Sequence, residues 1–226
     1  MNANHSLIRI AIFYDGSFFH RVSSFYKHNH PRQAFLNFQG IHEFVRMKVS
    51  ELEGIRPEMC HVVEAHFYRG RFSISKAKEK NQLETDRFFD QLLMYAGIAA
   101  HYFPMNEAMD RPVEKGVDVW MSLDAFDLAI HKEYDIVVLF AGDTDFIPLV
   151  RKLHSVGTRV MVLGWDLEAE GDDGRLYVTR TSSILMNEAR YPVWMNEEIE
   201  EGDENDWVVN GLFAQGGGNS RSSDDY

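Results

Sequence analysis

Four aspartates stand at positions where an acidic side chain can do chemistry. Asp15 follows the apolar run IRIAIFY, Asp143 and Asp145 follow IVVLFA in the run GDTDF, and Asp118 lies in EKGVDVW. Carboxylates gathered within about 4 Å repel by roughly 1–4 kcal/mol per pair, so a protein that collects them must neutralise them with protons or a metal. An all-oxygen donor set selects a hard divalent cation. Mg²⁺ or Mn²⁺ is the expected ion, with water and a substrate phosphate in its remaining positions. Such an ion acidifies a bound water, aligns it with a phosphorus and stabilises the leaving oxygen.

Each acid also has a structural reading. Asp145 suits the N-cap of the helix that starts near Phe146, and Asp118 the N-cap or first-turn acid of the helix VDVWMSLDAFDLAIH. Asp15 and Asp143 directly follow buried apolar runs beside Gly16 and Gly142, where the sequence offers no obvious helix for them to cap. Asp124, Asp127 and His131 fall on one helical face and read as a solvated stripe. His28, His30, His61 and His66 lack a ligand spacing. Cys60, the single cysteine, reads as a small buried hydrophobe.

The elements that must position these acids follow from patterning. Leu7–Phe13, Val62–Tyr68, Ile98–Phe103, Ile136–Ala141 and Arg159–Leu163 are apolar runs, mostly continuous rather than alternating, as expected of strands buried on both faces. Between them lie helical periods. Phe146, Leu149, Val150 and Leu153 follow one, with Pro148 in the first turn and Gly157 as the stop. Phe88, Phe89, Leu92, Leu93 and Ala96 follow another, opened by Asn81 with Glu84 and closed by Gly97. Ile41–Leu52 reads as a third helix. Alternating strands and helices predict an α/β fold, a three-layer α/β/α sandwich around a central parallel sheet. In such a sheet, functional groups collect at the carboxyl ends of the strands, where three of the four acids fall. Ser24–Gly40 and the acidic Asp166–Arg175 read as surface insertions, and SSILMNEAR with YPVWM closes the domain.

Of 226 residues, 45% are hydrophobic, and the net charge is −12. The segment 197–226 carries −8 of it and the other 196 residues only −4. With its GGG run, serines and acid clusters, 197–226 is expected to be a disordered tail, holding a small apolar island from Trp207 to Phe213, after a domain spanning 1–196. Within the nearly balanced body, Tyr68–Lys80 has a local charge of +4 interleaved with aromatic residues. Arg69, Arg71 and Lys76 there are candidate contacts to nucleic-acid phosphates. No run approaches the length of a membrane span and MNANHSLIRI has no signal-peptide pattern, so a cytoplasmic protein with no membrane partner is expected.

Together, YDGS after the first strand, KGVDVWMSLDAF before the fourth, and VVLFAGDTDFIPLVRKLHSVGTRVMVLG resemble the NYN domain of the PIN-like nuclease superfamily, of the LabA and DUF88 type. The likeness is strongest over Glu114–Gly164 and extends loosely from Ile8 to Met195. It implies a PIN-like sandwich and a Mg²⁺ or Mn²⁺ site made of Asp15, Asp118, Asp143 and Asp145. The implied activity is hydrolysis of phosphodiester bonds in RNA, leaving a 5′-phosphate and a 3′-hydroxyl, with single-stranded DNA as the alternative polymer. Lys115 matches the basic residue before the third acid, and it and Ser17 are the implied substrate contacts. Where the family commonly has asparagine just beyond Ser17, this chain has Phe18 and Phe19. A metal-dependent ribonuclease is the leading expectation, and an RNA-binding or regulatory module of the same fold with little turnover is the alternative. A phosphatase with an aspartyl nucleophile ranks last, since such enzymes carry a second acid two residues on and Asp15 is followed by Gly16 and Ser17. A homo-oligomer is not derivable from the sequence.

Overall fold

The computed structural model describes residues 7–107, 114–170, 176–202 and 206–214. The continuous apolar runs form strands with helices between them. In chain order the elements are β1 (Ile8–Asp15), α1 (Gly16–His28), α2 (Phe38–Glu53), β2 (Cys60–Arg71), α3 (Ile74–Glu79), α4 (Leu83–Tyr95), β3 (Ala99–Pro104), α5 (Val117–Lys132), β4 (Ile136–Phe140), α6 (Ile147–Ser155), β5 (Arg159–Gly164), β6 (Asp166–Glu170), β7 (Leu176–Arg180), α7 (Ser183–Glu188), β8 (Tyr191–Trp194), α8 (Met195–Glu201) and α9 (Trp207–Gly211). Six strands make one sheet in the order β3-β2-β1-β4-β5-β8, every neighbouring pair parallel. It is the expected α/β sandwich. Strand side chains alternate between two cores, as strand geometry requires. Ile10, Ile12 and Tyr14 of β1 pack with α1, α2 and α4. Ala11 and Phe13 pack on the other face with α5, α6 and α7.

The chain runs from β1 outward through β2 and β3, then returns to build β4, β5 and β8 on the other side. The sheet order therefore reverses between β1 and β4, the place where an open α/β sheet leaves a crevice at its strand ends. Tyr14 pairs with Phe140, so Asp15 and the GDTDF turn emerge side by side. Two glycines let this junction close. A Cβ on Gly16 would lie 2.6 Å from the Tyr68 carbonyl oxygen, and one on Gly142 would lie 2.6 Å from the Phe18 ring.

Several expectations need correction. The segment Ser24–Gly40 is not an insertion throughout: its first residues complete α1, whose Phe18, Phe19, Val22 and Tyr26 are buried. The segment after Gly164 carries the antiparallel hairpin β6–β7, with 171–175 outside the described residues. The basic stretch is the end of β2 followed by α3. Gln82 rather than Asn81 stands at the N-cap of α4. The largest correction concerns the tail, because the packed chain runs past 196. Ile199, Val209, Leu212 and Phe213 are buried, Phe213 bridges to Leu36, and its ring meets Tyr26 at 5.1 Å. Val209, Leu212 and Phe213 of the apolar island are thus part of the core, held by fit, while Trp207 stays exposed. Gly40 leaves room for the Gly211 carbonyl, which a Cβ there would strike at 1.7 Å. Residues 203–205 and 215–226 lie outside the described residues.

Candidate active site

Asp15 ends β1 with 9% of its surface exposed. Contrary to the sequence reading, it does cap a helix: its Oδ1 accepts from the amides of Ser17 (2.9 Å) and Phe18 (3.1 Å) at the start of α1. Asp143 likewise caps the 3₁₀ turn Thr144–Phe146, its Oδ1 accepting from the Asp145 amide at 3.0 Å and the Thr144 hydroxyl at 3.2 Å. Asp145 and Asp118 are exposed first-turn acids, of that turn and of α5. Capping and site membership coincide here, because a cap carboxylate keeps a second oxygen free.

Asp15, Asp118 and Asp143 line one cleft of about 250 Å³, with Ser17, Arg21, Glu114 and Arg180. Burial pushes the Asp15 carboxyl up to about 6, reinforced by Asp118 and Glu114 and opposed by the Phe18 amide and Arg21. Asp118 is also pushed up, by burial first and then by Asp143, Glu114 and Asp145. Asp15 and Asp118 thus feel the other acids of the group, although the four come from three separate segments. A larger apolar cavity of about 700 Å³ lies between α1, the 35–39 segment and α4. Among the described residues no carboxylate lines it, and the acids gather at the smaller cleft.

Three participants escaped the sequence reading. Glu114 accepts from the Ser17 hydroxyl at 2.5 Å and also from the Gly70 amide, tying β2 to α1 at the rim of the cleft. Nothing in EKGVD marks this acid, since its partners are 97 and 44 residues away. Arg21 sits one helical turn beyond Ser17, a spacing that puts both on one face of α1. Arg180 reaches the cleft from the β6–β7 hairpin, where it pairs with Asp166 (2.7 Å) and Glu168 (2.8 Å). Phe18 and Phe19, in place of the family's asparagine, are core residues only 2% exposed.

The expected phosphate contacts are dispersed. Arg69 and Arg71 line a second cavity, about 260 Å³, that shares Ser17 and Glu114 with the acidic cleft. The Arg71 guanidinium is held by Asp90 at 2.7 Å and lies 3.7 Å from the Tyr102 ring centre. Lys76 pairs with Glu79 at 2.8 Å on α3 and lines neither cavity. Lys115 is exposed, next to Gly116 of the cleft wall.

A family model described as the NYN domain matches residues 9–190. The chain belongs to the NYN domain family. NYN domains are a PIN-like nuclease family, which agrees with acids at the β1 and β4 ends of a parallel sheet. A solved protein of unknown function from Vibrio parahaemolyticus shares this NYN chain's fold, with a TM-score of 0.51 and 21% identity over 84% of this chain and 94% of that one. An uncharacterized protein of Methanocaldococcus jannaschii is 29% identical over 97 residues, 42% of this chain and 35% of that protein. The chain thus matches about a third of the length of that curated relative.

The donor set suits the divalent ion that NYN and PIN-like nucleases generally use. It is all oxygen, and Asp15 and Asp118 are held in the protonated direction by burial first and by neighbouring acids after it, a strain that a cation relieves. Among the described residues no three His, Cys, Asp or Glu side chains are arranged to clasp one ion. The arrangement therefore fits an ion that takes one or two carboxylates and keeps its waters, the habit of Mg²⁺.

Proposed function

We propose that this protein is a metal-dependent ribonuclease that hydrolyses RNA phosphodiester bonds in the cleft between the β1 and β4 ends. The observation that carries this reading is the convergence of Asp15, Asp118 and Asp143, from three separate segments, on one cleft, where neighbouring acids add to the burial that raises Asp15 and Asp118. Asp15, Asp118, Asp143 and Asp145 would supply the carboxylates for Mg²⁺ or Mn²⁺, one or two of them directly, and the ion would supply charge neutralisation at the phosphate and an acidified water. The chain's own groups do the rest. The caps on α1 and the Thr144–Phe146 turn fix the Asp15 and Asp143 carboxylates before substrate arrives, which keeps their reorganisation small. Arg21 and Arg180 offset the acids' repulsion of a polyanion, and Lys115 with Ser17 meets the strand. The same reading makes the protein cytoplasmic, with RNA as its partner and no membrane partner. No helix among the described residues is long and apolar enough to cross a membrane.

Labelled single-stranded RNA and DNA, incubated with Mn²⁺, Mg²⁺ or chelator, test the reading beside Asp143→Asn. Asparagine keeps an acceptor for the Asp145 amide, so the variant should stay folded and lose metal-dependent cleavage. RNA that is bound but never cut by the unmodified protein would favour the regulatory-module alternative. Cleavage by Asp143→Asn at the full rate would overturn the site.

A further inference from the structure

We propose that the cavity beside the acidic cleft is a phosphate subsite built on Arg69, which holds a phosphate of the strand other than the one being cleaved. The proposal rests on the nuclease reading for the identity of the strand, and on Arg69 itself for the anion.

Arg69 and Arg71 share one cavity but differ in what neutralises them. Asp90 grips Arg71 with both oxygens, at 2.7 and 2.9 Å, and Asp86 stands at 3.8 Å. Among the described residues no carboxylate lies within ion-pair distance of Arg69. The hydrogen bond that the structure shows for it runs from its Nη1 to Nε2 of His20 at 2.6 Å. His20 packs on Phe89 with ring centres 4.8 Å apart, and burial with the nearby guanidinium lowers its pKa to about 3. At neutral pH that imidazole is uncharged and offers Nε2 as an acceptor, so it orients the guanidinium without cancelling its charge. Asp86 and Glu114 favour the charged form of Arg69 from longer range, but burial outweighs them.

A largely buried cation with no anion against it is costly, and a ligand anion is what would offset the cost. The cavity has the remaining parts of such a site. Arg71, Gln82 and Ser17 also line it. Its two acids are already committed, Asp86 to Arg71 and the Gln82 amide and Glu114 to Ser17 and Gly70. A planar guanidinium presenting several N–H donors matches phosphate oxygens. Because Ser17 and Glu114 form a common wall with the acidic cleft, a strand with one phosphate at the aspartates has this cavity beside it. Phosphate contacts of this kind set register rather than sequence. The phosphate is either an internal diester or a terminal monoester.

The test measures binding separately from cleavage. Fluorescence anisotropy in the Asp143→Asn background, without divalent ions, compares a short single-stranded RNA carrying a 5′-phosphate with the same RNA ending in a hydroxyl. In parallel, thermal unfolding of the otherwise unmodified protein is followed with inorganic phosphate. Arg69→Gln should weaken RNA binding about tenfold or more and reduce the log–log salt slope by about 0.7. It should also abolish the phosphate-dependent rise in Tm, without lowering Tm in phosphate-free buffer. Arg69→Lys, which keeps the charge and much of the stem, should retain part of both effects and guards against misfolding of the glutamine variant. A loss confined to the 5′-phosphorylated RNA identifies a terminal phosphate, and an equal loss for both identifies an internal one. If phosphate protection depends on Arg69 but no nucleic acid binds, the subsite stands and the nuclease reading falls. If RNA is cut while neither affinity nor phosphate protection depends on Arg69, the subsite falls alone.

Discussion

Replacing Asp15 by asparagine separates the cost of the acidic cleft from its use. Asparagine caps helices as well as aspartate does, so its Oδ1 can keep the bonds from the Ser17 and Phe18 amides. What it removes is a carboxyl raised from 3.8 to about 6, by burial first and by Asp118 and Glu114 after it. Its folded pKa is above its unfolded one. The stability it contributes is therefore present in full below about pH 4 and is lost as pH rises through 6. A gap of about two pH units corresponds to roughly 3 kcal/mol. The asparagine side chain does not titrate and has nothing to lose over that window. The variant should match the unmodified protein near pH 4 and be more stable than it at pH 7, by up to about 3 kcal/mol.

Urea unfolding from pH 4 to pH 8, with chelator present, measures that difference directly. Adding Mg²⁺ or Mn²⁺ should then stabilise the unmodified protein at pH 7 and leave Asp15→Asn nearly unchanged, while RNA cleavage disappears in the variant. A destabilised variant at pH 7 would mean that the carboxylate charge supports the fold. A stability difference that stays constant with pH would mean that Asp15 has an ordinary pKa. Equal metal stabilisation of both proteins would remove Asp15 from the ion's ligands.

On the acid side the sign reverses. Burial lowers His20 to about 3 and His42 to about 4, so each contributes stability that is present above about 6.5 and lost as pH falls, about 3 kcal/mol apiece by pH 4. His42→Gln should flatten the unfolding profile between pH 6.5 and 4, and an unchanged profile would rule out His42 as a source of acid lability. Truncation after Met195 removes Ile199, Val209, Leu212 and Phe213 from the core. At roughly 1.5–3 kcal/mol per buried side chain, that loss rivals the stability of a whole domain. The truncated chain should fail to fold, and a cooperative transition in it would show that α8 and α9 are dispensable.

How much of this was legible in the sequence depended on how local the signal was. The strands β1, β4 and β5 are buried on both faces, so their apolar runs are nearly uninterrupted and stand out from any neighbour, whereas β2 is buried on both faces only from Ala65 on and its run is broken by His61, Glu64 and His66. Helix α1 is harder to read from sequence: Phe18, Val22, Phe25 and Tyr26 recur at helical spacing, but the polar composition from Ser24 onward hides the period. The tail misled for a different reason. Its apolar island is short and set among acids, and its burial depends on Gly40 admitting the Gly211 carbonyl and on Leu36 pairing with Phe213. No window along the chain contains both halves of that fit.

The same distinction governs the site. Four aspartates could be named because strand ends announce themselves locally, and the topology then brings those ends together. The sequence could not tell whether a charge would be cancelled. Arg69 and Arg71 are chemically alike and two residues apart, and both looked like phosphate contacts. Only α4, which brings Asp86 and Asp90 onto Arg71, and α1, which brings neutral His20 onto Arg69, make one a structural ion pair and leave the other a buried charge. Glu114 follows the same logic in reverse. Nothing in its local sequence sets it apart, yet it is committed to Ser17 and Gly70 between the acidic cleft and the arginine cavity. Residue type at a strand end points to where chemistry can occur, whereas the partners each charge acquires in three dimensions decide which residues remain free to perform it.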